Sequence, residues 1–207
     1  MLAIIKQLPY QRQFSLPFIT LGALILLTTA GETQLNASWA LIPALSNNGE
    51  WWRLITGHLV HSNTYHSLLN LGGVLAVWAL HGEYYAKYKL AIVSLLLGLA
   101  ISASIVMWQS YTHYVGFSAI LHGLFCFGAI EDIKRKVNGG ELILLFVIGK
   151  VIWEQIAGGS MQVAELINAN VATDAHLFGT IFGCIIGVIY IVTWGKNLPR
   201  KTKLLDQ

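Results

Sequence analysis

Ser118, in Tyr114-Val115-Gly116-Phe117-Ser118-Ala119, and His176, in Asp174-Ala175-His176-Leu177-Phe178-Gly179, each stand at the start of a long apolar stretch. Polar, ionisable groups at such positions are costly to bury and by default face an interior site. A serine hydroxyl is a poor nucleophile until a neighbouring base takes its proton, which a neutral imidazole does near pH 7. The pair therefore points to acyl transfer by nucleophilic attack, if the segments that carry them meet.

Three further polar groups belong to the same argument. His66 and Asn70 are four residues apart and share one face of a helix. The tetrahedral intermediate of acyl transfer carries an oxyanion that needs preorganised donors. The Asn70 amide, the His66 imidazole and the Ser118 backbone N–H can supply them; Asn70 alone reads first as a helix-bridging residue, and the other groups beside it favour the oxyanion role. His122 lies one turn after Ser118 and reads first as a packing partner for His176; a rival base and a buried helix bridge stay open. Asp174 is two residues from His176 and points to another face. No carboxylate takes the third position of a triad, so a Ser–His dyad is expected. Lys150 and Glu154 are spaced i,i+4 and read as a pair that eases the burial of the lysine.

The elements that must position these groups are membrane helices. The chain has 207 residues, 55% hydrophobic and 11% charged, against about 25% charged in soluble domains. Apolar runs at 15–30, 65–81, 88–109, 115–130, 141–157 and 174–194 approach the length of about 20 residues that spans a bilayer. No period-2 strand signal competes with them. The expected fold is all-α: one polytopic domain over residues 1–207, a bundle of six transmembrane helices. Of the 13 Lys and Arg residues, all but Arg53 and Lys150 fall on one side when both termini are cytoplasmic, which sets the orientation. The second, fourth and sixth helices then begin at the outer face, and their first turns bring all five polar groups to one depth.

The glycines strengthen the pairing. Gly179, Gly183 and Gly187 form a small-residue ladder after His176, and Gly116, Ala119 and Gly123 form another around Ser118. Such ladders let two helix backbones approach closely. The long connection 31–64 carries Trp39, Trp51 and Trp52, a composition suited to the lipid–water boundary; Arg53 beside them reads as a headgroup anchor. His81 and His113 read as interfacial helix-end residues. The connection 158–173 lacks Lys and Arg and could cover a site that opens outward. The first apolar run reads as a retained helix rather than a cleaved signal peptide.

Other chemistry is disfavoured. Cys126 and Cys184 each follow a candidate residue by eight positions and so lie at one depth, without a CxxC pattern. His58 and His61 have HxxH spacing but no HExxH and no acidic ligand. A metal or haem protein using His58, His61 and His66 is thus the weakest alternative, and neither metal nor cofactor is expected. No basic patch interleaved with aromatics suggests nucleic acid. The expected partners are the lipid bilayer and membrane-anchored protein substrates.

Taken in order, Trp52-Arg53, His61-x4-His66-x3-Asn70, Gly116-Phe117-Ser118-Ala119 and Ala175-His176-x2-Gly179-x3-Gly183 resemble the motifs of the rhomboid intramembrane serine proteases. The resemblance spans residues 50–187. It implies Ser118 as nucleophile, His176 as base, His66 and Asn70 as oxyanion donors, and structural roles for His61 and the Trp52-Arg53 pair. His122 stands where many rhomboids carry a tyrosine that packs on the histidine. The compact length and the run Ser118-x3-His122-Gly123 are similar to the rhombosortase branch. That branch implies cleavage of C-terminal Gly-Gly sorting segments of secreted proteins at the bacterial inner membrane. Ala119 stands where the family usually has glycine, and it favours the alternative of an inactive rhomboid-like protein that binds client segments without cutting them.

Overall fold

The computed structural model describes residues 8–194. Lys6, Lys196, Arg200, Lys201 and Lys203, used above for orientation, lie outside the described residues. Within them the chain is helical, and its β pairing is one isolated antiparallel bridge, Leu41 with Tyr114. In chain order the helices are α1 Arg12–Ala30, α2 Glu32–Trp39, α3 Pro43–Asn47, α4 Arg53–Thr56, α5 Thr64–His81, α6 Lys89–Trp108, α7 Ser118–Arg135, α8 Gly140–Ala157, α9 Met161–Ile167 and α10 Thr173–Trp194. A 3-10 turn at Gly82–Tyr85 joins α5 to α6.

By length and apolar composition α1, α6 and α10 can each cross a membrane, and α8 with α9, bent by 90°, can count as a fourth crossing. The remaining long helices carry the polar groups. α5 holds His66, Ser67 and Asn70, and α7 ends in Glu131, Asp132, Lys134 and Arg135. Outward-facing Leu27, Phe146, Ile156 and Val192 are all more than half exposed, an apolar exterior that makes sense against lipid.

α7 occupies the middle of the bundle and packs against α5, α6, α8 and α10. Leu97, Ile101, Ile105, Leu124 and Phe127 fill the space around it. The closest approach is between α7 and α10. A Cβ at Gly179 would run into the Ala119 carbonyl oxygen, and one at Gly183 into the Gly123 backbone. Two rungs of the ladders read from the sequence thus meet, Ala119 with Gly179 and Gly123 with Gly183, while Gly116 faces His66 and Gly187 faces Ile130. The free thiols of Cys126 and Cys184 are neighbours across this contact.

Several local expectations change. α7 runs five residues past Ile130, because its charged end is satisfied within the protein. Glu131 accepts from Lys89 at 2.6 Å and from Arg135 at 2.6 Å. His81 is fully buried rather than interfacial, with Nε2 3.0 Å from Asp132. His113 sits in the exposed loop before α7. Arg53 points inward instead of toward headgroups: it is 4% exposed and bonds Glu50 Oε2 at 2.6 Å, the Ala40 carbonyl at 2.8 Å and the Ala37 carbonyl at 3.1 Å. A guanidinium with five donors suits this stapling of an otherwise irregular connection. Trp51 and Trp52 stay exposed, and Trp52 Nε1 donates to the Ser38 carbonyl at 3.0 Å.

Candidate active site

Ser118 is the first residue of α7, and the backbone bends into it through Gly116 at φ +116°. A side chain at Gly116 would be strained by that φ and would collide with the His66 ring. The bend is held from outside by the Leu41–Tyr114 bridge and by Gly116 N–H donating to the Gly57 carbonyl at 3.0 Å. His58 adds a buried post: Nε2 lies 2.9 Å from Ser102 Oγ, and Nδ1 lies 3.3 Å from the Tyr114 hydroxyl. Burial lowers its pKa to about 4, so it is a neutral packing group near pH 7.

Ser118 Oγ and His176 Nε2 are 2.9 Å apart. The other ring nitrogen of His176, Nδ1, lies 2.9 Å from Glu154 Oε2. A carboxylate only accepts, so Nδ1 carries the proton and Nε2 presents its lone pair to the serine hydroxyl. That is the tautomer a general base needs. Glu154 is a functional candidate that sequence reasoning missed: its carboxylate meets the ring nitrogen of His176 that faces away from Ser118.

Lys150 and His122 complete the cluster. The Lys150 ammonium donates to Glu154 Oε1 at 2.7 Å and to His122 Nε2 at 2.8 Å. His122 Nδ1 donates to the Ser118 carbonyl at 2.7 Å. The His122 ring stacks on His176 with centroids 4.2 Å apart and planes 20° apart, the packing role preferred from the sequence. The ligand atoms of His122, Glu154 and His176 all lie within 4.8 Å of one another. The lysine ammonium already takes the electrostatic place a metal ion would fill among them.

The remaining predicted residues are close but differently engaged. Asn70 is buried and lines the same cavity; its Nδ2 donates to the His66 carbonyl at 2.9 Å, which leaves its second N–H for a ligand. Its Oδ1 has no hydrogen-bond partner among the described residues. His66 Nδ1 lies 3.0 Å from Ser62 Oγ, whose own hydrogen goes to the Ile167 carbonyl at 2.7 Å. That contact places the His66 proton on Nδ1. Donation to an oxyanion needs it on Nε2, the tautomer favoured by the longer Ser62 N–H contact at 3.4 Å. His61 packs edge-on against His66 at 4.9 Å. Burial, then the neighbouring His66, bring its pKa down to about 3. Gly116, Trp52 and Arg53 are not among the residues lining the cavity beside Ser118: Gly116 bends the chain into Ser118, and Trp52 and Arg53 tie the 31–64 connection together.

Ser118, His122, Lys150, His176, Asn70 and His66 all line one cavity of about 1350 Å³. Its walls run along α5 at Leu69 and Gly73 and along α8 at Leu142 and Phe146. The segment 168–172 lines the cavity as well.

Comparison with known proteins gives the family. The rhomboid domain pattern matches residues 48–193, and the chain belongs to the rhomboid family. It is 24% identical over 192 residues to the rhomboid protease AarA of Providencia stuartii, covering 84% of this chain and 66% of that protein. It is 27% identical over 147 residues to the putative rhomboid protease YdcA of Bacillus subtilis (strain 168), covering 70% of this chain and 69% of that protein. This chain therefore spans about two thirds of the length of those relatives.

Proposed function

We propose that this chain is an intramembrane serine endopeptidase. The observation that carries the reading is the 2.9 Å contact between Ser118 Oγ and His176 Nε2 on the wall of a cavity large enough for an unwound peptide. Family membership and the two protease relatives support the same reaction class.

A substrate segment enters between α5 and α8, whose apolar side chains line the cavity. It must unwind there, since helical carbonyls are shielded by their own hydrogen bonds. Ser118 Oγ attacks the scissile carbonyl carbon as its proton passes to His176 Nε2. The oxyanion is met by the Ser118 N–H, the free Asn70 amide N–H and His66 in its Nε2–H tautomer. His176 returns the proton to the leaving amine, and water then releases the acyl group.

All six long helices cross the bilayer in this reading, with both termini cytoplasmic and the cavity toward the outer face of a bacterial inner membrane. The bias of Lys and Arg supports that orientation. C-terminal Gly-Gly sorting tails of secreted proteins are the proposed substrates, on the strength of the Ser118-x3-His122-Gly123 run. The inactive alternative rests on Ala119. That residue is fully buried, and the Ser118–His176 contact is intact with its methyl in place, so no specific observation favours it.

The test is cleavage of a reconstituted single-span substrate ending in a Gly-Gly tail, together with fluorophosphonate labelling. Wild type should cleave and label, and Ser118→Ala should do neither while accumulating in the membrane. Proteolysis by purified Ser118→Ala at the wild-type rate would refute the assignment.

A further inference from the structure

We propose that Glu154 is the positioning carboxylate of a Ser118–His176–Glu154 triad, and that Lys150 selects which face of that carboxylate meets the histidine. The inference rests on the peptidase reading above.

The geometry separates the two oxygens of Glu154. Oε2 faces His176 Nδ1 at 2.9 Å, and Oε1 accepts from Lys150 at 2.7 Å. The lysine therefore leaves Oε2 to the histidine; its ammonium also lies 3.4 Å from His176 Nδ1, a longer contact than the 2.9 Å to the carboxylate. The ammonium is itself aimed by its second bond, to His122 Nε2, and His122 is aimed by its bond to the Ser118 carbonyl. The cluster closes on itself: α7 supplies Ser118 and His122, α8 supplies Lys150 and Glu154, and α10 supplies His176.

The chemistry follows from the tautomer. As the Oγ–carbon bond forms, the Oγ–H bond breaks, its proton goes to His176 Nε2, and the carbonyl π pair moves onto oxygen. The imidazole becomes imidazolium with Nδ1–H still bonded to Glu154, which takes no proton and stabilises the new charge. Without an acceptor at Nδ1 the ring can place its single proton on Nε2, where it cannot accept from the hydroxyl.

Lys150 makes this testable beyond simple loss of function. In Glu154→Gln the amide has one oxygen, and the ammonium can only be met by that oxygen. The NH2 group is then turned toward His176 Nδ1, which must be unprotonated to receive it. The variant should hold the wrong tautomer. Removing the lysine frees the amide to turn over and accept Nδ1–H again.

The experiment measures the rate of Ser118 labelling by a fluorophosphonate probe in full-length, detergent-solubilised protein, with melting temperature recorded alongside. Wild type and Ser118→Ala come first: a wild type that does not label overturns the peptidase reading and the triad with it. Given labelling, Glu154→Gln should be slower by about a thousandfold. Lys150→Met/Glu154→Gln should regain at least about tenfold over Glu154→Gln, because the freed amide restores the tautomer. A purely structural ion pair gives the opposite order, with the double variant no faster. Glu154→Gln labelling within threefold of wild type overturns the triad while leaving the peptidase reading standing. If Glu154→Gln does not accumulate, Glu154→Asp decides. It keeps the charge but withdraws the oxygen by one methylene, so it should lose rate at least tenfold with little change in melting temperature; a wild-type rate there overturns the proposal.

Discussion

Two buried histidine–carboxylate pairs among the described residues can be set side by side: His176–Glu154, between α10 and α8, whose histidine lines the large cavity, and His81–Asp132, between the ends of α5 and α7. His176 Nδ1 meets Glu154 at 2.9 Å, and His81 Nε2 meets Asp132 at 3.0 Å. Their immediate geometry is nearly the same. The difference lies in the second ring nitrogen. In His176 it accepts from a serine hydroxyl on the cavity wall. In His81 it is pressed against Gly128 and has no hydrogen-bond partner among the described residues. Asp132 is further occupied by the Tyr84 hydroxyl at 2.5 Å. A carboxylate beside a histidine thus does not by itself make a reactive site; it takes a nucleophile and room for a substrate on the far side of the ring.

That contrast can be broken most forcefully at His176. His176→Ala should reduce cleavage and probe labelling by at least about a thousandfold while leaving the melting temperature close to wild type. Asp132→Ala should do the reverse. Removing one partner of a buried pair costs about 3 kcal/mol, so the melting temperature falls while activity per folded molecule is kept. If Asp132→Ala lost activity without losing stability, the two pairs would have to be regarded as one system.

Smaller effects sharpen the picture. Gly179→Val should drive a side chain into the Ala119 carbonyl; overpacking of this kind costs about 1–3 kcal/mol. Both the melting temperature and the labelling rate should fall, since the same contact sets the Ser118–His176 distance. His122→Phe keeps a stacked ring but loses the bonds to Ser118 and Lys150, and a loss of about tenfold in labelling rate is expected.

Acid should act through the posts around the site. His58 has a folded pKa of about 4 against 6.5 unfolded. The unfolded chain therefore binds the proton first as pH falls. The stability is fully present above about pH 6.5 and is lost progressively down to about pH 4, by roughly 3 kcal/mol for this residue. Urea unfolding at pH 7 and pH 4 measures it, and His58→Gln should flatten the difference.

Much of this was legible from residue types and spacing. Ser118 and His176 were found because a hydroxyl and an imidazole open two apolar segments, and the facing glycine ladders announced that those segments touch. Glu154 escaped because Lys150 one turn away already accounted for it, and because helical spacing tells nothing of a neighbour twenty-two residues further along. A depth argument would have found it. Glu154 is three residues before the end of α8 and His176 three residues after the start of α10, so antiparallel neighbours place them level. His81 and the end of α7 were misread for the complementary reason: hydropathy treats charge as a helix terminus, whereas here Glu131 and Asp132 find partners inside the protein.

Asn63 performs two jobs with one amide. Its oxygen caps the first turn of α5 by accepting from His66 N–H at 2.8 Å, and its nitrogen holds the Leu166 carbonyl at the end of α9 at 3.0 Å. Any excursion of that short helix away from the bundle must either sever the second bond or tug on the first. The placement of α9 and the posture of His66 are thereby mechanically geared, through a tie that grips main-chain oxygen and is indifferent to which side chain stands at position 166.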